Sequence, residues 1–139
     1  LFPSLHLSIN GGVASLDAAQ DHLSTGIDGV MIGRAAYQTP YDILARVDCD
    51  LFDGAPAPAA VVIAEQMIPY IDRHLQKGGR LHQITRHMFG LFSGQTGARY
   101  WRRRLSELGG KNGYCLADYC SLLDELKLIM EQPQEFGAS

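Results

Sequence analysis

The sequence predicts two kinds of structure in one chain, α/β over the first third and all-α over the rest. Three observations carry this. Two short strand-like runs near the start, each closed by a glycine turn, flank a segment of helical spacing. A stretch rich in Asp, Gly and Pro (DCDLFDGAPAP, residues 48–58) then interrupts the pattern. Beyond it, every apolar repeat has the spacing of a helix.

Taken in order, Leu5-His6-Leu7-Ser8-Ile9 alternates between apolar and polar residues and ends at Asn10-Gly11-Gly12, the pattern of a short strand and its turn. Ser15 is placed to cap a helix over Leu16–Leu23, with Asp17 in the first turn where the helix dipole favours an anion. Thr25-Gly26 ends it. Gly29-Val30-Met31-Ile32 is continuously apolar, as in parallel strands buried on both faces, and Gly33-Arg34 closes it. A short helix then starts at Pro40 and runs to Arg46 or Val47. The order βαβα makes a parallel sheet with right-handed crossovers. Residues 1–47 read as the last two βα units of a TIM (β/α)8 barrel, which implies about six further strands.

Residues 48–58 read as a linker and 59–139 as a small four-helix bundle. Its helices are expected over 59–76, with a kink at Pro69, and over 81–92, 97–108 and 116–130.

The bulk numbers exclude several classes. At 139 residues and 46% hydrophobic content the chain suits an ordered globular protein. No apolar run reaches the roughly 20 residues needed to span a bilayer, and no secretory signal is present. Cys49, Cys115 and Cys120 lack metal-ligand spacing, so reduced thiols in a cytoplasmic protein and no metal site are expected. The chain opens on Leu1 rather than Met, which leads us to expect part of a longer polypeptide, although a trimmed leader would read the same.

Charge is segregated. Residues 1–58 carry two basic and seven acidic side chains, whereas residues 73–111 carry nine basic and one acidic. The net −3 of the whole chain conceals a concentrated cationic stretch.

Two constellations carry chemistry. Asn10-Gly11-Gly12 and Gly33-Arg34 close successive strands, where β/α barrels commonly bind phosphate through backbone N–H groups. Glycine lets the ligand approach the backbone closely, and Arg34 can add a bidentate contact. Either turn alone reads as an ordinary turn; together they point to phosphate. The second constellation is Arg99, Arg102 and Arg103, which share one helix face with Tyr100 and Trp101 interleaved, and Arg86 with His87 on the preceding helix. A nucleic-acid backbone fits it, while Trp101 reads as core. His6 and His22 read as structural, Asp118, Asp124 and Glu125 as a solvated helix face, and no residue stands out as a nucleophile or general acid.

At LSINGG (residues 7–12), DGVMIGRAAYQ (28–38), ITRHM (84–88) and GARYWRR (97–103) the chain resembles the A-type tRNA-dihydrouridine synthases, and the likeness runs from Leu5 to about Met130. The resemblance implies an FMN-binding barrel, a helical domain that holds tRNA, and reduction of the D-loop uridines at positions 20 and 20a with NADPH as reductant. It implies FMN-phosphate contacts for Asn10, Gly11, Gly12, Gly33 and Arg34, and tRNA contacts for Arg99 and Arg102, with Arg103 and Arg86 on the same basic surface. It further implies hydride transfer from reduced flavin to C6 of a flipped-out uracil, with an acid protonating C5. The family's proton-donating cysteine belongs to earlier strands, so no catalytic residue is expected here, and this piece alone is expected to be inactive. A monomer is expected for the full-length form. Two other readings stay open: a different FMN-dependent barrel oxidoreductase, of the dihydroorotate dehydrogenase kind, and a non-catalytic RNA-binding module.

Overall fold

A computed structural model of the chain describes residues 4–109 and 113–132. Its first strand, β1 (Ser8–Asn10), pairs in parallel with β2 (Gly29–Met31), with Ser8 opposite Gly29, Ile9 opposite Val30 and Asn10 opposite Met31. The crossover that parallel pairing requires is helix α1 (Leu16–Ser24). Ser15 caps α1 as expected, its Oγ accepting from the Ala18 N–H at 3.1 Å. Gly26, just past the helix end, takes a left-handed φ of 91°.

The first strand is displaced from the predicted Leu5–Ile9, because residues 5–7 lie outside the ladder. Leu7 is bound by Asp28 instead. Its N–H donates to the Asp28 carboxylate at 2.8 Å and its carbonyl accepts from the Asp28 N–H at 2.9 Å. The expectation that residues 29–32 are buried on both faces does not hold: Met31 is 54% exposed, and Gly29, Val30 and Ile32 are half-buried. A sheet of two strands, the number found among the described residues, encloses little of either face.

Helix α2 (Arg34–Gln38) follows β2 directly and was not anticipated. Helix α3 (Pro40–Leu51) opens on its proline and continues past the predicted end at Val47. The i,i+4 ion pair of Arg46 with Asp50, at 2.7 Å, supports the added turn. Residues 48–51, assigned to the linker, are therefore helical. The chain divides into two compact units after Ala57. Val13, Leu16, Ala19 and Ile43 are buried in the first.

The second unit is helical. Its elements are α4 (Ala60–Gln66), α5 (Ile68–Gln76), α6 (His82–Thr85), α7 (Ala98–Gly109) and α8 (Leu116–Glu131). The helix expected over 59–76 is broken at Met67, next to Pro69, which has no N–H to continue the ladder. The helix expected over 81–92 is reduced to the four residues of α6, followed by successive turns. The ladder passes to i,i+3 bonds at His87 and Met88, whose N–H groups donate to the Ile84 and Thr85 carbonyls, and the change continues past Met88. The Met88 carbonyl accepts the Trp101 indole N–H at 2.7 Å and the Leu91 N–H at 3.1 Å, in place of a helical i+4 donor. The described residues of this unit thus form five helices rather than the four of the predicted bundle.

Helix α8 packs on α4, α5 and α7 around an aromatic centre. Trp101 is fully buried, tilted on Phe92 at 4.8 Å between ring centres and edge-on to Tyr119 at 6.3 Å. The Tyr119 hydroxyl donates to the Ala64 carbonyl at 2.8 Å, and burial pushes its pKa well above the ordinary phenol value. Trp101 is core, as its spacing predicts.

Candidate functional site

In the first unit, β1 and β2 deliver their closing turns to the same end of the sheet, because parallel strands run in one direction. The result is a single cavity of about 480 Å³. All five residues singled out from the sequence (Asn10, Gly11, Gly12, Gly33 and Arg34) line it, together with Met31 and Gln38. Gly11 and Gly12 have φ of 117° and 74°, the left-handed region that favours glycine. Nothing lies within 4 Å of where a Cβ would stand at Gly11, Gly12 or Gly33, so the backbone faces open space.

The charges in this unit leave one cation for a ligand. Arg46 is held by Asp50 at 2.7 Å and Asp17 at 3.2 Å, and the Asp50 hydrogen bond raises its pKa first of all. Arg34 is exposed and, among the described residues, has no ion-pair partner. A guanidinium beside an open glycine backbone, in a half otherwise rich in carboxylates, suits a phosphate group. Sequence reading missed Gln38. It lies four residues after Arg34 on α2, so recognising that helix would have placed both on one face.

In the second unit, α7 turns Trp101, Leu105 and Leu108 inward at i, i+4 and i+7. The opposite face carries exposed Arg99, Arg102 and Arg103. Arg99 and Arg102 line an open groove with the loop Gly94–Ala98, Tyr100 and Ile129. Arg103 and Arg86 do not line it. The Arg103 guanidinium lies over the Tyr100 ring at 5.8 Å, and its Nε is 3.8 Å from Glu107. Arg86 caps the end of α6, with its Nε donating to His87 Nε2 at 3.0 Å.

The acidic residues read as a solvated helix face have partners. Glu125 accepts from the Tyr100 hydroxyl and lies 3.9 Å from Arg104 Nε. Asp118 accepts the Cys115 N–H at 2.6 Å, which lowers its pKa. Asp124 lies 3.9 Å from Lys127. None of Cys49, Cys115 and Cys120 lines the phosphate-suited cavity. The described residues hold no cluster that could bind a metal ion, and none of their helices is long and apolar enough to cross a membrane.

The family model for Dihydrouridine synthase (Dus) matches residues 2–126. The chain belongs to the dihydrouridine synthase family. It is 56% identical over 113 residues to the tRNA-dihydrouridine(20/20a) synthase of Shewanella oneidensis, a match covering 81% of this chain and 33% of that protein. Proteins of the same description from Salmonella typhimurium and Escherichia coli are each 49% identical over 132 residues, covering 94% of this chain and 38% and 37% of theirs. The chain thus spans between a third and two-fifths of the length of these curated dihydrouridine synthases.

Proposed function

We propose that this chain supplies the flavin-phosphate grip and a tRNA-binding surface of an FMN-dependent tRNA-dihydrouridine synthase. Its uridine targets are those at positions 20 and 20a, with NADPH as the reductant. Residues 1–57 act as the last two βα units of a TIM barrel and residues 58–139 as the helical tRNA-binding domain. The observation that carries this reading is the meeting of five residues from two separate turns in one cavity, in a member of this family.

The residues in that cavity fit the phosphate end of FMN. Gly11, Gly12 and Gly33 let phosphate oxygens approach the main chain, and Arg34 offers a charge-assisted pair of hydrogen bonds. When bound, FMN supplies the hydride-transfer chemistry. Asn10 and Gln38 line the same cavity and are placed to orient the phosphate. Arg99 and Arg102 neutralise phosphates of the tRNA backbone from their groove, and Arg103 and Arg86 add charge beside it.

The test is a chimera placing this chain behind the N-terminal two-thirds of the Shewanella oneidensis relative. It is expected to form dihydrouridine in a tRNA lacking the modification, given FMN and NADPH. Arg34→Ala is expected to weaken FMN binding by about tenfold, the effect of one charge-assisted contact, and to leave riboflavin binding unchanged. A folded chimera without synthase activity, or equal losses for FMN and riboflavin, would contradict the proposal.

A further inference from the structure

The groove of Arg99 and Arg102 lies at the start of α7; near the end of the same helix the second unit has another cavity, of about 290 Å³. The two share no residue. Three stretches line the second cavity: residues 79–82 around the start of α6, Leu108 on α7, and residues 113–114 ahead of α8. Leu81 and Leu108 are buried and apolar, Arg80 is exposed, and His82 and Tyr114 are half-buried.

The loop that carries Arg80 is pinned by its neighbours. Gln83 Oε1 accepts the Arg80 N–H at 2.8 Å and meets His74 Nε2 at 2.9 Å. The Gly79 N–H donates to the His74 carbonyl at 3.0 Å, and a Cβ at Gly79 would run into the His74 ring. His82 lies beside Gly109, the last residue of α7. Gly113, with a left-handed φ of 110°, turns the chain into Tyr114.

The charges leave Arg80 available. Glu107 is the one acidic residue among residues 73–111, and Arg103 and Arg104 take it. Arg80 has no ion-pair partner among the described residues. A guanidinium, an imidazole and a phenol ring gathered with two buried leucines match the chemistry of a nucleotide. The cation pairs with phosphate, and an aromatic ring accepts an unstacked base. The volume is at the lower end of the roughly 300–1,000 Å³ of small-molecule sites, which suits one nucleotide rather than a dinucleotide.

We propose that this cavity is a second nucleic-acid contact, taking one unstacked nucleotide of the tRNA with its phosphate on Arg80 and His82 and its base on Tyr114. This rests on the reading of the helical unit as a tRNA-binding domain. Bases stacked within a duplex cannot enter the cavity, so it selects a loop or an end of the tRNA over its stems.

The experiment measures binding of an unmodified tRNA transcript to the 139-residue chain over a range of salt concentrations. Arg80→Ala is expected to weaken binding about tenfold and to make the salt dependence shallower by about 0.7, the slope of one phosphate of a single strand. Tyr114→Ala is expected to weaken binding about fivefold or more at the parent slope, because stacking carries no charge. Tyr114→Phe should keep the parent affinity, and a blunt RNA duplex should bind the parent and Tyr114→Ala alike. A variant that merely failed to fold would melt early and lose the duplex too. Parent-like tRNA binding by either Arg80→Ala or Tyr114→Ala overturns the proposal while the tRNA reading stands, even if free uridine monophosphate binds the parent chain. An equal loss of tRNA and duplex in Tyr114→Ala overturns it as well. If the parent chain does not bind tRNA, or Arg99→Ala with Arg102→Ala leaves binding unchanged, the tRNA reading falls and the proposal with it.

Discussion

The two proposed anion sites are built in opposite ways. The first offers a cavity of main chain and glycine, with Arg34 as its one unpaired cation among the described residues. The second offers a row of side chains on α7 over an open groove. In both, carboxylates pair with one arginine and leave another without an ion-pair partner among the described residues. Arg46 is tied to Asp50 and Asp17 in one, and Arg104 to Glu107 and Glu125 in the other. The support beneath the sites differs as well. Val13, Leu16, Ala19 and Ile43 are the buried apolar residues of the first unit, whereas the second encloses Trp101, Tyr119, Phe92 and several leucines. A backbone site needs fixed turns and few side chains; a helix-face site needs a helix held from behind.

The largest effect expected from this contrast is all-or-none. The 139-residue chain, given FMN, NADPH and tRNA, should form no dihydrouridine, because on the proposed reading its cavity grips the phosphate end of FMN and not the flavin ring or the uracil. Mass spectrometry of the digested tRNA checks it, and turnover by the chain alone would break the division between grip and chemistry. Next, Trp101→Ala should destabilise the second unit by about 3–5 kcal/mol and abolish tRNA binding, read by denaturant titration. The first unit should respond more to its cap. Ser15→Ala removes the bond to the Ala18 N–H and should cost about 1 kcal/mol, seen as faster hydrogen exchange in α1.

The smallest effect is one of pH. The Cys115 N–H holds the Asp118 carboxyl below the ordinary carboxylate range in the folded state. A depressed folded pKa contributes stability that is present above the unfolded value and lost as pH falls through the folded one. The second unit should therefore weaken in acid below that ordinary range, and Asp118→Asn should flatten this part of its pH–stability profile.

Much of this was legible in the residues. Ser15, Gly26 and Pro40 mark helix ends by local chemistry, and the structure has them in those places. The five cavity residues were legible because two turns on parallel strands must fall at one end of a sheet. What the sequence hid depends on distant partners. The Met88 carbonyl is taken by a tryptophan 13 residues away, within a segment that periodicity reads as helix and the structure builds from turns. Glu125 looks like a solvated acid until Tyr100, 25 residues earlier, is brought against it. The exposure of Met31 follows from a sheet of two strands, whereas an apolar run describes a strand with neighbours.

The most direct test of two separate anion sites is the salt dependence of tRNA affinity for the parent chain, Arg34→Ala, and Arg99→Ala with Arg102→Ala. The expected result is that Arg34→Ala runs parallel to the parent, while the double variant is shallower by about 1.5, the sum for two phosphate contacts. A double variant parallel to the parent, or an Arg34→Ala slope as shallow as the double variant's, would contradict the assignment of the two sites.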